Sequence, residues 1–193
     1  MASVREASIP AVKIIEVAKY VDPRGYFCET YNHRALARAG IDLQLVQDNE
    51  SLSIPCFTVR GLHFQTPPYA QAKLVRVLTG RILDVALDIR TGSPTFGRHV
   101  AVELDPISGR QLLVPEGFAH GFCTLEADTR VLYKVSQCYS PEHERGVSWC
   151  DPSLGIDWPV TPARAVLSER DAKYPRLAEL PPYFHYADYG ANA

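Results

Sequence analysis

Two apolar runs, Ala72 to Leu78 and Ile82 to Ile89, flank the three residues Thr79-Gly80-Arg81. Runs this short, joined by a glycine-bearing turn, leave little choice but a β-hairpin. In the second arm Leu83, Val85, Leu87 and Ile89 fall on one face, while Ile82, Asp84, Ala86 and Asp88 fall on the other. The first face is plainly core; the second carries two acids. The same punctuation recurs along the chain, where most of the 15 prolines and 12 glycines lie between short apolar runs, the pattern of an all-β protein. Further strands are predicted over Val100 to Leu104, Gln111 to Val114, Phe118 to Thr124 and Arg130 to Gln137, spaced closely as in sandwiches and jelly rolls. Helix signals are few. His33 to Ala39 predicts a short helix ended by Gly40, and Ser168 to Asp171 the opening of another. The tail after Pro175, with Pro181-Pro182 and several tyrosines, reads as an extended segment packed on the surface. No internal repeat or low-complexity segment interrupts the chain.

A length of 193 residues suits one domain spanning 1–193. Hydrophobic residues make up 46% and charged residues 22%, an ordinary globular balance with enough apolar mass for a sizeable core. A net charge of -2 without a dense basic stripe lacks the footprint of nucleic-acid binding, so any bound anion must be met by individually placed Arg and Lys. Cys28, Cys56, Cys123, Cys138 and Cys150 are odd in number, scattered, and contain no CxxC pair. They argue against a disulfide framework or a zinc site and read as buried thiols in a reducing cytosol. The first ten residues carry Arg5 and Glu6 and no apolar stretch like a signal peptide, and no run reaches membrane-spanning length. The expected location is the cytoplasm, with no membrane partner.

The order Gly109, Pro115, Gly117, His120 matches the spacing of the second sequence signature of the cupin superfamily, laid across two strands and their turn. Cupins often use this histidine as a metal ligand, in company with two further histidines and a glutamate from a first signature. Here the first signature would contain His63, with Gln65 in place of the second histidine and no acid until well after Lys73. His63 and His120 alone fall short of the three protein ligands usual in a catalytic metal site, so no metal is expected. His120 then reads either as a hydrogen-bonded barrel histidine or as a donor to a substrate oxygen.

Longer strings carry a more specific resemblance. Asp22-Pro23-Arg24-Gly25-Tyr26-Phe27-Cys28-Glu29, Gln47-Asp48-Asn49, Arg60-Gly61-Leu62-His63-Phe64-Gln65, Lys73-Leu74-Val75-Arg76, Pro115-Glu116-Gly117-Phe118-Ala119-His120-Gly121-Phe122, Leu132-Tyr133-Lys134, Asp151-Pro152 and Gly155-Ile156-Asp157-Trp158-Pro159 occur in this order. Together they resemble the dTDP-4-dehydrorhamnose 3,5-epimerase family from about Ile9 to Leu177. The resemblance implies a double-stranded β-helix, or jelly roll, that epimerises carbons 3 and 5 of dTDP-4-dehydro-6-deoxy-D-glucose toward dTDP-4-dehydro-L-rhamnose. No cofactor is implied, because the substrate's own ketone acidifies both positions.

Inverting a carbon beside a ketone requires a base on one face, an acid on the other, and positive charge at the ketone oxygen while the enolate lasts. His63 suits the base, because an ordinary imidazole is largely neutral at pH 7; the resemblance assigns it that role and makes Asp171 the carboxylate that orients it. Tyr133 alternates in phase with Val131 and Val135, and a phenol can return a proton to a carbanion. The resemblance makes it the acid, where a packed core tyrosine is the plainer alternative. Lys73 shares a strand face with Val75 and Val77, which would bury an ammonium in need of a partner; the resemblance sets it beside the ketone oxygen. Arg24 and Arg60 match positions that grip the diphosphate, and bidentate arginine suits that group. Phe27, Glu29, Gln47, Asn49 and Glu144 match nucleotide or sugar contacts, and Tyr139 is a further pocket candidate. Asp84, facing in with Ala86, is expected to line the pocket. Arg170 stands where the family more often has lysine, keeping the charge but changing its geometry, and Thr124 replaces the asparagine that ends the general cupin signature. The resemblance also implies a homodimer in which an N-terminal strand crosses to the partner, so that Arg24, Phe27 and Glu29 complete the neighbouring pocket. Three rivals stay open: an epimerase acting at one carbon of a related sugar, a metal-dependent cupin oxygenase, and a non-catalytic sugar-nucleotide binder.

Overall fold

The computed structural model describes residues 3–189. Numbered along the chain, the strands are β1 Ser3–Glu6, β2 Lys13–Glu16, β3 Tyr20–Asp22, β4 Gly25–Phe27, β5 Gln47–Ser53, β6 Val59–Gln65, β7 Lys73–Thr79, β8 Ile82–Asp88, β9 Arg90–Thr91, β10 His99–Leu104, β11 Arg110–Val114, β12 Phe118–Thr124, β13 Thr129–Val135, β14 Glu144–Gly146 and β15 Phe184–His185. The helices are α1 His33–Arg38 and α2 Tyr186–Tyr189. None is long and apolar enough to cross a membrane among the described residues.

Two antiparallel sheets face each other, one ordered β1-β2-β11-β7-β13-β5 and the other β10-β8-β12-β6-β14. Neighbours in space are mostly not neighbours in sequence, which is the double-stranded β-helix of the cupin jelly roll. Between the sheets lies one apolar core, with Ile14, Val75, Val77, Leu112, Val114 and Val131 from the first sheet. Ile82, Ala86, Val100, Leu104, Phe118 and Phe122 come from the second. This core fills one end of the barrel and leaves the other for polar side chains. The outer face of the first sheet is covered by α1, whose Leu36 packs with Ile15, Leu74 and Leu113. Asn32 caps that helix by accepting from the Ala35 amide at 3.1 Å, and Gly40 follows with φ +86, as the sequence predicts.

The outer face of the second sheet changes the reading of β8. Leu62, Phe64, Val85, Leu87 and Ala119 pack there against Leu154, Leu177, Leu180, Tyr183 and Phe184 from the C-terminal part of the chain. Both faces of β8 are therefore core, and Asp84 and Asp88 are each 0% exposed. Asp88 is satisfied by Arg90 (Nε 3.0 Å, NH2 2.8 Å), Ser93 and Thr95. The tail is likewise more than a surface strap, because β15 pairs in parallel with β9 and Phe184 is 1% exposed. The expected helix at Ser168–Asp171 is only a 3₁₀ turn over Asp171–Lys173. Of the five cysteines Cys123 alone is buried; Cys28 and Cys56 are partly exposed and Cys138 and Cys150 exposed, so the expectation of buried thiols fails for four. They lie in loops and at strand ends, where no sheet covers them.

Strand β5 had no apolar signal. Its sequence, QDNESLS, has polar residues on both faces, yet it closes the six-stranded sheet against β13. Its outward acids Asp48 and Glu50 are held by Lys134 and Arg130 at 2.8 and 2.7 Å. Its other face, with Gln47 and Asn49, borders the polar end of the barrel.

Candidate active site

Strand register assembles the polar end. His63 on β6 is paired directly with His120 on β12, so both side chains leave the sheet on one face, and Arg60 is paired with Phe122. His120 and Phe122 are two apart, whereas Arg60 and His63 are three apart, and the register shift between these pairs takes up the extra residue. A bulge of this kind resets the alternation and brings Arg60 and His63 to the same face. The backbones are very close there: a Cβ on Gly61 would lie 2.5 Å from the Gly121 Cα. On the opposite sheet Lys73 is paired with Val135 and Val75 with Tyr133. Gln47 and Asn49 of β5 are paired with Val135 and Tyr133 from the other side. Lys73, Tyr133, Gln47 and Asn49 therefore share one inward face.

The side chains then meet across the barrel. One His63 ring nitrogen is bonded to the Asp171 carboxylate at 2.5 Å, with 26% of the His63 side chain and 7% of the Asp171 side chain exposed. Asp171 is held in place by its own amide, which donates to Ser168 Oγ at 3.1 Å. That leaves the second ring nitrogen of a neutral His63 unprotonated. Lys73 is 7% exposed, and its Nζ donates to the His63 carbonyl at 3.2 Å. Burial pushes this ammonium down to about 8, against the upward pull of Glu144 and Asp84. The Tyr133 phenol is raised by burial; Arg60 draws it back, and Glu144 and Tyr139 add to the rise. It stays protonated at neutral pH. Asp84 does more than line the pocket: one of its oxygens is bonded to His120 Nε2 at 2.7 Å, while the other is buried without a protein partner.

A ring of polar groups forms the mouth. Glu144 accepts a bidentate pair from Arg170 at 2.7 and 2.9 Å and a bond from the Tyr139 hydroxyl at 2.5 Å. Gln47 accepts from the Tyr139 amide at 3.0 Å and donates to Asn49 at 2.8 Å. The Arg60 guanidinium donates to Ser53 Oγ and the Leu52 carbonyl at 3.1 and 3.0 Å. Beside Arg60 and Asp171 opens a cleft of about 340 Å³ that also has Thr58, Val166 and Ser168 in its walls. A larger cleft, about 1030 Å³, lies between β1, residues 39–43 and Tyr189 and contains none of these side chains. Its size has no bearing on the chemistry.

Three expected residues do not join the site. Arg24 and Phe27 sit on the β3–β4 hairpin, whose base is tied to the loop after β10 by Lys19 donating to the carbonyls of Pro106 and Ile107. The Arg24 side chain is 89% exposed and engaged with Asp22, and Phe27 is 71% exposed. Glu29 is exposed and accepts from Asn32 at 3.0 Å. Two residues unremarked in the sequence do join it: Tyr174, whose ring meets His63 edge-on at 5.5 Å, and Gly146, paired with His63 on β14. Neither stood in a recognised motif, and no local signal marked them.

The sequence profile described as dTDP-4-dehydrorhamnose 3,5-epimerase matches residues 6–179. The chain belongs to the dTDP-4-dehydrorhamnose 3,5-epimerase family. A curated family member from Sinorhizobium fredii is 53% identical over 179 residues, covering 93% of this chain and 91% of that one. One from Shigella flexneri is 46% identical, covering 88% and 92%. Among solved structures, the Legionella pneumophila 3,5-epimerase in complex with dTDP-4-keto-L-rhamnose superposes with a TM-score of 0.91 at 40% identity, covering 96% of this chain and 99% of that one. A 3'-monoepimerase from Streptomyces bikiniensis in complex with dTDP-quinovose superposes with a TM-score of 0.88 at 33% identity, covering 95% and 93%. As an epimerase-family barrel, the chain has both of its inward histidines engaged by carboxylates, Asp171 and Asp84. Among the described residues no group of three His, Cys, Asp or Glu side chains is gathered as a metal site would require.

Proposed function

We propose that this chain is a 3,5-epimerase that converts dTDP-4-dehydro-6-deoxy-D-glucose to dTDP-4-dehydro-L-rhamnose without a cofactor. The observation that carries the proposal is the convergence of the His63–Asp171 pair, the buried Lys73 and the half-buried Tyr133 on one end of the barrel. His63 removes the proton beside the ketone, and Asp171 holds the imidazole and stabilises the imidazolium that forms. Lys73 steadies the enolate oxygen in a dry, low-dielectric setting, and Tyr133 returns a proton from the other side. Glu144, Arg170, Tyr139, Gln47, Asn49 and Arg60 stand where a sugar diphosphate and its base would emerge from the barrel, and His120 faces a substrate oxygen. The names of the curated relatives and the dTDP-sugar in the Legionella structure support the same substrate.

A second reading, epimerisation at one carbon only, is favoured by the likeness to the 3'-monoepimerase; the higher identity to the 3,5-epimerases favours the first. One experiment separates them. The purified protein is incubated with the 4-keto sugar nucleotide in heavy water, and deuterium is located by NMR. Incorporation at both carbons is the expected result, incorporation at one supports the alternative, and binding without exchange refutes both. His63→Ala abolishes the exchange if the base is correctly assigned.

The active form is proposed to be a homodimer. The hairpin that holds Arg24 and Phe27, with Val21 79% and Phe27 71% exposed, is suited to cover a second copy and supply those residues and Glu29 to its pocket. Elution at monomer mass under native conditions would count against this. The whole chain 1–193 is taken as one catalytic domain, with residues 1–2 and 190–193 outside the described part, and is proposed to work in the cytoplasm, where sugar nucleotides are made.

A further inference from the structure

We infer that Tyr174 is a positioning residue for His63, its ring bracing the imidazole on a second side while Asp171 holds it on the first. The inference rests on the reading of His63 as the base. Asp171 and Tyr174 belong to one short segment, a 3₁₀ turn over Asp171–Lys173 with Tyr174 directly after it. At three residues per turn, side chains three apart lie one above the other, so one turn delivers both the carboxylate and the ring to His63. The turn is itself pinned: the amides of Ala172 and Lys173 donate to Ser168 and Arg170 carbonyls, and Ser148 N donates to the Pro175 carbonyl at 2.7 Å.

Room for the ring is made by Gly146. This residue is the cross-strand partner of His63 and is buried, and its φ lies outside the left-handed region. A Cβ built on it would lie 2.5–2.6 Å from three atoms of the Tyr174 ring, so glycine is needed here for space and not for backbone conformation. The ring occupies the place a side chain beside His63 would take, and meets the imidazole edge-on at 5.5 Å with planes 69° apart, a geometry favoured by ring quadrupoles.

The hydroxyl has a different standing. Tyr174 Oη is buried and has no hydrogen-bond partner in the protein. Burial pushes this phenol up to about 12, with Arg170 pulling it down and Glu144, Asp171 and Tyr139 pushing it further up, so it neither titrates nor shuttles a proton near neutrality. The ring, held by Gly146 and His63, is therefore what acts on the base, and removing an unpaired buried hydroxyl costs little.

The test compares Tyr174→Leu, Tyr174→Phe, Gly146→Ala and His63→Ala in steady-state epimerisation and deuterium uptake, with folding checked by thermal melting. Small misplacement of a catalytic group typically costs on the order of 10²-fold. Tyr174→Leu is accordingly expected to lower kcat roughly 10- to 100-fold, with KM moved less than about threefold. Tyr174→Phe restores kcat to within about twofold of the unmodified protein. Gly146→Ala, which keeps the tyrosine but expels its ring, reproduces the loss, and a protein with both Tyr174→Leu and Gly146→Ala is no worse than either single variant because both remove the same contact. Should Tyr174→Leu fail to fold, Gly146→Ala with Tyr174→Phe decides the matter. Unchanged kcat in folded Tyr174→Leu or Gly146→Ala overturns the inference, as does a loss in Tyr174→Phe equal to that in Tyr174→Leu. If His63→Ala itself keeps full exchange, the base assignment fails first; if only the Tyr174 and Gly146 variants stay active, the positioning role alone is lost.

Discussion

Replacing Lys73 by methionine should make this protein more stable and leave it inactive. The Lys73 ammonium is buried, it donates to the His63 carbonyl at 3.2 Å, and burial takes it from 10.5 down to about 8. A drop of that size corresponds to about 3 kcal/mol of penalty on the charged form in the folded state. The sign follows from proton binding. Between about pH 8 and 10.5 the unfolded chain holds more protons at this lysine than the folded one, so stability rises with pH through that window. Below it both states are protonated and the whole penalty is present. Methionine keeps the aliphatic stem without the charge, so Lys73→Met should gain up to about 3 kcal/mol at pH 7. For a chain of this length that is roughly 6–12 °C in Tm. The assay is urea unfolding of both proteins at pH 7, 8, 9 and 10, at fixed protomer concentration because assembly shifts apparent stability. The stability gap should be widest at pH 7 and close toward pH 10, while Lys73→Met shows no turnover at any pH. The unmodified enzyme should itself lose kcat as pH rises through about 8, because a neutral amine cannot steady an enolate. A gap that does not vary with pH, or a methionine variant less stable at pH 7, would refute the electrostatic reasoning.

Two other substitutions test separate parts of the argument. Tyr133→Phe removes the proposed acid and leaves the base, so product formation should fall by roughly 10²–10⁴-fold while proton NMR in heavy water still shows exchange on the side His63 reaches; undiminished epimerisation would dismiss Tyr133 as the acid. Gly121→Ala places a Cβ 2.6 Å from the Arg60 carbonyl oxygen and 2.9 Å from the Gly61 Cα; overpacking of this kind should cost about 2–3 kcal/mol, read as a lower denaturant midpoint, and should reduce kcat by shifting the bulge that aligns Arg60 with His63.

Much of the site was legible because its residues sit in strands with regular alternation. Lys73 shares a phase with Val75 and Val77, and Tyr133 with Val131 and Val135, and both pairs of neighbours are core in the structure. Strand β5 was invisible for the opposite reason. Its inward side chains Gln47 and Asn49 are polar because they border the pocket, so the apolar alternation that announces a half-buried strand is missing where function replaces it. The two acids of β8 gave no local sign of their partners. Both acids are buried: Asp84 is met by His120 from the neighbouring strand, and Asp88 by Arg90 two residues along the chain together with Ser93 and Thr95.

By itself the sequence determined the all-β class, the strands β7 and β8 with the turn between them, the helix ended at Gly40, and the set of residue types able to move a proton beside a ketone. These follow from short-range physics: period-two alternation, turn chemistry, and the intrinsic acidity of imidazole, phenol and ammonium. The expected pairing of β7 with β8 as a hairpin fails, because the turn carries the chain from one sheet to the other, where β7 pairs with β11 and β13 and β8 with β10 and β12. Tertiary structure alone decided that Asp171 reaches His63 across 108 residues, that a bulge turns Arg60 to the same face, that Tyr174 fills the space left by Gly146, and that Arg24, Phe27 and Glu29 stand apart from the pocket of their own chain. Each of these depends on closing two sheets over a common core, and contacts between segments so distant in sequence leave no trace in any local pattern.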